Sequence, residues 1–256
     1  TLQGGTIAGA LDGAGAVTVN TGTTTLTGTI SSTSIDIQAG GTLSSNGGGL
    51  AAAAAVTNNG ALALTGGGDE SIANMNGTGT TSLSAGSILT LNTGVSNING
   101  VISGAGGLTV AGGTTNLGAA NTYSGATPVN SGGTLNVLAA GAIAGASTVN
   151  AGGIMTNAGT VADVSNAGSF TNSGTAGELV NTGAGFGSNT GTLAGLVHNS
   201  TGTFDHAGAV NGGTSISTSG NRWRTVFSSS SRLTNARPRA LPPSDPPPIR
   251  VKRLRV

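Results

Sequence analysis

Two histidines, His198 and His206, and eight carboxylates are the side chains of this chain with acid–base capacity suited to catalysis. Asp205-His206, with His198 nearby, is the place where an acid and imidazoles lie close in sequence. Hydrolysis by such groups needs a nucleophile, a base and an orienting acid within hydrogen-bond reach of one another. Ser200 and Ser215 are available as nucleophiles but belong to no recognisable motif, so the cluster is expected to be solvated turn residues. The remaining acids before Asn221, namely Asp12, Asp36, Asp69, Glu70, Asp163 and Glu178, are scattered. Glycosidic chemistry needs two carboxylates facing one bond across a short gap. No Lys or Arg stands before Arg222 to hold a sugar acid.

There is no cysteine, which excludes disulfides and thiolate metal sites. Gly66-Gly67-Gly68-Asp69-Glu70 is similar to one copy of the calcium-binding nonapeptide repeat, which works only in successive copies. The glycine run 104–107 opens no helix after a strand and is read as a corner, not a phosphate cradle. No catalytic, cofactor-binding or metal-ligating residue is therefore assigned, and no cofactor is expected.

The charge is divided unevenly along the chain. The seven acids before Asn221 meet no basic residue, giving about −7, while all nine basic residues lie from Arg222 onward. Charged residues are 7% of the chain, against about a quarter in ordinary domains, so Thr, Ser, Asn and Gly must make the surface. Bulky apolar residues are sparse. A thin core repeated along an axis suits this composition better than one compact core.

The elements that would carry such a core are legible as repeats. Asn-x-Gly recurs at Asn20, Asn58, Asn92, Asn130, Asn150, Asn157, Asn166, Asn172, Asn181 and Asn189, a tight-turn signal closing short strands. Alternating pairs such as Leu62/Leu64, Leu89/Leu91, Leu108/Val110 and Leu135/Val137 predict strands with one face inward. Asn150 follows Asn130 at an interval of 20, and Asn166, Asn181 and Asn199 follow at 16, 15 and 18. Phe170, Phe186 and Phe204 recur at 16 and 18. A turn-punctuated period of this size predicts a stacked β-solenoid of about ten rungs, with Asn and Phe ladders on successive rungs. Residues 51–55 and 138–146 are read as loops or single helical turns. Thr21, Thr23, Thr25, Thr27 and Thr29 alternate, which would give a flat hydroxyl face suited to ice.

Residues 104–137 carry a sharper pattern. Gly104-Ala105-Gly106-Gly107-Leu108-Thr109-Val110 precedes Asn121-Thr122-Tyr123-Ser124-Gly125, then Val129-Asn130-Ser131-Gly132-Gly133-Thr134-Leu135. This resembles the autotransporter-associated β-strand repeat of bacterial type V secreted proteins. The resemblance implies a right-handed parallel β-helix passenger on the surface of a Gram-negative cell, anchored through a C-terminal barrel that this chain does not contain.

The expected organisation is all-β: β-helix rungs over 1–148, with the clearest repeat at about 100–137, and shorter-period rungs over 149–221. Residues 222–256, rich in Arg and Pro, read as a disordered tail of the kind a shifted reading frame would produce. The chain shows no signal peptide at Thr1 and is read as a segment of something longer. The function expected is structural and adhesive rather than enzymatic. Partners would be host or cell-surface macromolecules or a second copy, and not nucleic acid, with localisation at the outer membrane or secreted. A carbohydrate-active β-helix enzyme and, behind it, an ice-binding solenoid are the alternatives.

Overall fold

The computed structural model describes residues 1–13, 15–200, 202–212, 214–216 and 223–225. Within them the chain winds as a three-sided parallel β-solenoid of about 11 turns, without an α-helix. The first side carries a four-stranded sheet from Val17–Val19 to Asn74–Asn76, continued by an eight-stranded sheet from Val95–Ile98 to Trp223–Thr225. The second carries six strands from Gly5–Ile7 to Ile102–Gly104, then five from Ala142–Ile143 to Ala209–Val210. The third begins with Ala10–Leu11 and Thr29–Ile30, followed by nine strands from Glu70–Ile72 to Thr214–Ile216. Every strand pair is parallel, so each rung supplies the backbone partners of the next.

The alternation predicted from sequence is the packing observed. Leu62, Leu64, Leu89, Leu91, Leu108, Val110, Leu135 and Val137 all point inward and are buried. Asn130 and Asn150 close the tight turns expected of them. Gly133 N donates to Asn130 O at 2.9 Å and Gly153 N to Asn150 O at 2.8 Å, with Gly132 and Gly152 at φ of 82° and 80°.

The rungs shorten along the chain for a structural reason. Residues paired between strands lie 18 to 21 apart through the rung containing Val149, and 15 to 18 apart from there to Thr203–His206. The inward column Leu117–Val137 continues as Asn157, and the column Val129–Val149 continues as Asn166. Each new Asn turns the chain with its own side chain, Oδ1 accepting from the nitrogen of the glycine two positions on, at 3.1 Å in both cases. That turn needs two residues before the next strand, where 138–141 and 150–153 each need four. With one residue saved at the third corner, the interval contracts from 20 between Leu135 and Met155 to 15 between Met155 and Phe170.

Close stacking also accounts for much of the glycine. In the column Gly141, Gly159, Gly174, Gly191 and Gly208, a Cβ added to any of the last four would lie inside contact radius of the preceding glycine's carbonyl oxygen. These corners need glycine because the rung below leaves no room for a side chain.

Four expectations are corrected. The phenylalanines do not form a ladder: Met155, Phe170, Gly187 and Phe204 are in register, and Phe186 falls one residue early and is exposed. A one-residue slip sends a side chain to the opposite face, and Phe204 fills the space that Gly187 leaves. Asn166 stands opposite Val149, not Asn150, so the interval of 16 joins two non-equivalent positions. Residues 51–54 and 138–141 are loops, as one of the two readings had them, closed by Ala54 N on Ala51 O and Gly141 N on Leu138 O, but Ala55 and Ala142–Ile143 within the same stretches are strand. Pairing also outlasts the change in charge, since Trp223–Thr225, free of proline, lies parallel to Phe204, Asp205 and His206. The remainder of the basic tail, residue 222 and 226–256, lies outside the described residues.

Candidate functional site

Winding distributes the acids and histidines over different sides. Asp205 and His206 are on the first side and His198 on the third, so the expected Asp205–His206–His198 grouping does not assemble. His206 turns toward the core and Asn189 Nδ2 lies 3.1 Å from its Nδ1, while its ring stacks on Phe204 with centroids 5.7 Å apart. Burial holds the His206 imidazole below its usual pKa. Ser200 Oγ donates to Asn181 O at 3.3 Å, and Ser215 belongs to the strand Thr214–Ile216.

Glu178 and His198 meet on neighbouring rungs of the third side, and Asp163 reaches the backbone of Glu178. Asp163 Oδ1 accepts from Glu178 N at 2.8 Å, and Glu178 Oε1 lies 3.4 Å from His198 Nε2. Both side chains of the second contact are more than a third exposed. The calcium-like stretch is used structurally. Asp69 Oδ1 accepts from Ile88 N at 2.9 Å, and Glu70 lies inside the rod, where Ser45 Oγ donates to it at 2.8 Å and Leu50 N at 3.0 Å. Desolvation raises the Glu70 pKa, partly opposed by these donors. Among the described residues no group of three or more metal-ligating side chains comes together. A shallow concavity lined by Ile88, Thr109, Ala126 and Pro128 contains no titratable side chain.

What the winding assembles instead is columns of amides. Inside the first side, Asn157 Nδ2 donates to Asn172 Oδ1 at 2.7 Å and Asn172 Nδ2 to Asn189 Oδ1 at 2.7 Å, ending on His206. Inside the third, Asn166 donates to Asn181 at 2.7 Å and Asn181 to Asn199 at 2.9 Å. Each donates to the next rung, so both columns share one polarity.

A third column lies on the outer face. Asn116 donates to Asn97 and Asn136 to Asn116, both at 2.8 Å, and Thr156 Oγ1 to Asn136 Oδ1 at 2.6 Å. Beside it stands the row Val95, Thr114, Thr134 and Ile154, with Val95 and Ile154 exposed. This outer strip has no charge and was not singled out from sequence. The regular interval between Asn97, Asn116 and Asn136 was the signal for it. The alternating threonines make no comparable strip: Thr23 and Thr25 face outward, Thr24 is buried, and Thr21, Thr27 and Thr29 lie off that strand.

The Asn121-Thr122-Tyr123 segment stands where one rung lacks a second-side strand. Asn121 Oδ1 accepts from Ile102 N on the preceding rung at 2.8 Å, and its Nδ2 donates to Ala142 O on the next at 3.1 Å. Tyr123 is fully buried with its hydroxyl 2.7 Å from Thr127 Oγ1, and burial pushes its pKa up. The motif is thus a plug that joins the second side's two sheets across a gap.

Fold and surface together define a class, a three-sided parallel β-solenoid with polar columns inside and out. No family model, no curated protein and no solved structure matches the chain.

Proposed function

We propose that this solenoid is a non-enzymatic, surface-exposed passenger segment of a type V secreted protein, acting as a stiff spacer and weak multivalent adhesin on a Gram-negative cell. The observation that carries the reading is the parallel stacking of rung on rung. About 11 turns at about 4.8 Å give a rod on the order of 50 Å, stiffened by stacked amides and faced with uncharged hydroxyl and amide rows. The motif in residues 104–137 supports the secretion assignment. Such faces suit many weak contacts whose strength comes from repetition, with surface glycans, proteins or a second copy as partners.

The test is display. The chain is fused between a secretion signal and an autotransporter barrel, and intact cells are probed with antibody and with proteinase K. Antibody labelling of a protease-resistant rod is expected. Retention inside the cell, or rapid digestion throughout, would remove the reading. Trypsin is unsuitable because no Lys or Arg precedes Arg222.

One observation favours a carbohydrate-active enzyme as second reading, the Asp163–Glu178–His198 column on adjoining rungs. Reducing-end release from a panel of neutral and acidic polysaccharides, abolished by Glu178→Gln, would establish it. Release unchanged in that variant, or no release, rules it out.

A further inference from the structure

The five Asn-Gly pairs of this chain begin at Asn46, Asn59, Asn76, Asn99 and Asn211. Asn-Gly is a reactive pair. The glycine nitrogen attacks the asparagine side-chain carbonyl carbon, a C–N bond forms, the C–NH2 bond breaks, and ammonia leaves carrying the proton from the attacking nitrogen. Water then opens the succinimide to aspartate or isoaspartate. Glycine permits this because no Cβ blocks the approach. The reaction needs a glycine nitrogen that is not held elsewhere.

The solenoid divides the four pairs from Asn46 to Asn99 on that criterion, while the fifth, Asn211-Gly212, borders the undescribed residue 213. Gly47 N donates to Ser45 Oγ at 3.2 Å, and Gly77 N to Asn97 O at 3.1 Å. Gly60 N and Gly100 N donate to no acceptor among the described residues. Asn59 and Asn99 are both exposed, and so is the tethered Asn46, so exposure does not separate the two groups. Polarisation of the side-chain carbonyl does not separate them either: Asn59 Oδ1 accepts from Thr78 N at 3.3 Å, Asn46 Oδ1 from Thr65 Oγ1 at 2.9 Å and Asn76 Oδ1 from Asn97 N at 2.8 Å. The asparagines of the inner columns are buried, and none precedes a glycine.

We propose that Asn59 and Asn99 are self-modification sites, at which this rod deamidates at its corners by reaction with water and gains negative charge with age. The same corner holds Gly41, Gly60, Gly79 and Gly100, in which a Cβ on Gly60, Gly79 or Gly100 would strike the carbonyl oxygen of the glycine before it. Each conversion therefore places a carboxylate beside tightly stacked backbone, in a segment with no cation to neutralise it.

The experiment ages the purified full chain at mildly alkaline pH and reads the 1 Da mass gain and isoaspartate content by fragment. Cleavage after Glu70 and Glu178 separates 1–70, with Asn46 and Asn59, from 71–178, with Asn76 and Asn99, and sequencing each fragment by tandem mass spectrometry assigns the gain to one residue of its pair. Each fragment contains one free pair and one tethered control. Asn59 and Asn99 are expected to convert about five- to tenfold faster than Asn46 and Asn76, the factor that one hydrogen bond to the nucleophile is worth. In urea the four rates should converge. Four equal rates in the folded chain, faster conversion at the tethered pairs, no conversion at Asn59 and Asn99, or a difference that persists in urea would each overturn the proposal.

Discussion

Replacing Asn172 with alanine removes the centre of an inner amide column, and its cost can be worked from the contacts. Asn172 is fully buried. It accepts from Asn157 Nδ2 at 2.7 Å and donates to Asn189 Oδ1 at 2.7 Å, to Thr192 O at 3.1 Å and, more weakly, to Gly174 O at 3.3 Å. After truncation Asn157 Nδ2 keeps Thr175 O at 2.8 Å. Asn189 Oδ1 keeps no donor among the described residues, in a place closed to water. About 1 kcal/mol for each of the three shortest lost bonds and about 1–3 kcal/mol for the stranded acceptor sum to about 4–6 kcal/mol, which imperfect additivity lowers to about 3–5 kcal/mol. Asn136 is the control. It makes a bond of similar length on the outer face, but water replaces its partners, so Asn136→Ala should cost about 0.5 kcal/mol or less. Urea unfolding followed by far-ultraviolet circular dichroism measures both. Because stacked repeats can unfold in parts, hydrogen exchange of the rungs containing Asn157, Asn172 and Asn189 should show that the loss begins there. Equal midpoint shifts for the two variants, or less than about 1 kcal/mol for Asn172→Ala, would refute the claim that the inner column holds the rungs together.

Three other perturbations follow from the core. His206 Nδ1 must offer its lone pair to Asn189, and burial lowers its folded pKa below 6.5. The unfolded chain then binds more protons, so stability is complete above about 6.5 and falls as pH drops through it. His206→Asn should flatten that limb of a melting-temperature profile. Glu70 has the opposite sign: its folded pKa is raised above 4.5, so stability is greatest below that value and declines as pH rises through the folded pKa, and Glu70→Gln should remove this slope. Gly187→Ala places a Cβ 2.9 Å from Phe204 Cδ2 and should destabilise by about 1–3 kcal/mol through overpacking, with Phe204→Leu in the same chain restoring part of the loss in a thermal melt.

The fold was legible because alternation and turn chemistry are local. Leu89 and Leu91 announce a one-sided strand whatever lies above them, and Val129-Asn130-Ser131-Gly132 announces a turn. Register across rungs is not local. Phe170 and Phe186 look equivalent in sequence, but corner length decides which residue meets which, and one residue is enough to send Phe186 outward. The same limit hid the switch from Val137 to Asn157, since Asn-x-Gly reads as a turn whether the side chain faces in or out. It also explains the fate of the Asp205, His206 and His198 grouping. Closeness along the chain places residues on different sides of a triangle, whereas Glu178 and His198, twenty residues apart, become neighbours on one side.

The glycine columns at the corners set how this protein can change over generations. A substitution at Gly159 or Gly174 meets backbone from the neighbouring rung, which cannot yield without opening the stack. A substitution at Thr114, Thr134 or Ile154 changes the outer face and leaves the stack untouched. Inheritance therefore sees two alphabets in one chain: a corner script that is nearly frozen, and a face script that is almost unconstrained by folding. A lineage that keeps the first while rewriting the second can alter what the rod touches, rung by rung, without altering the rod.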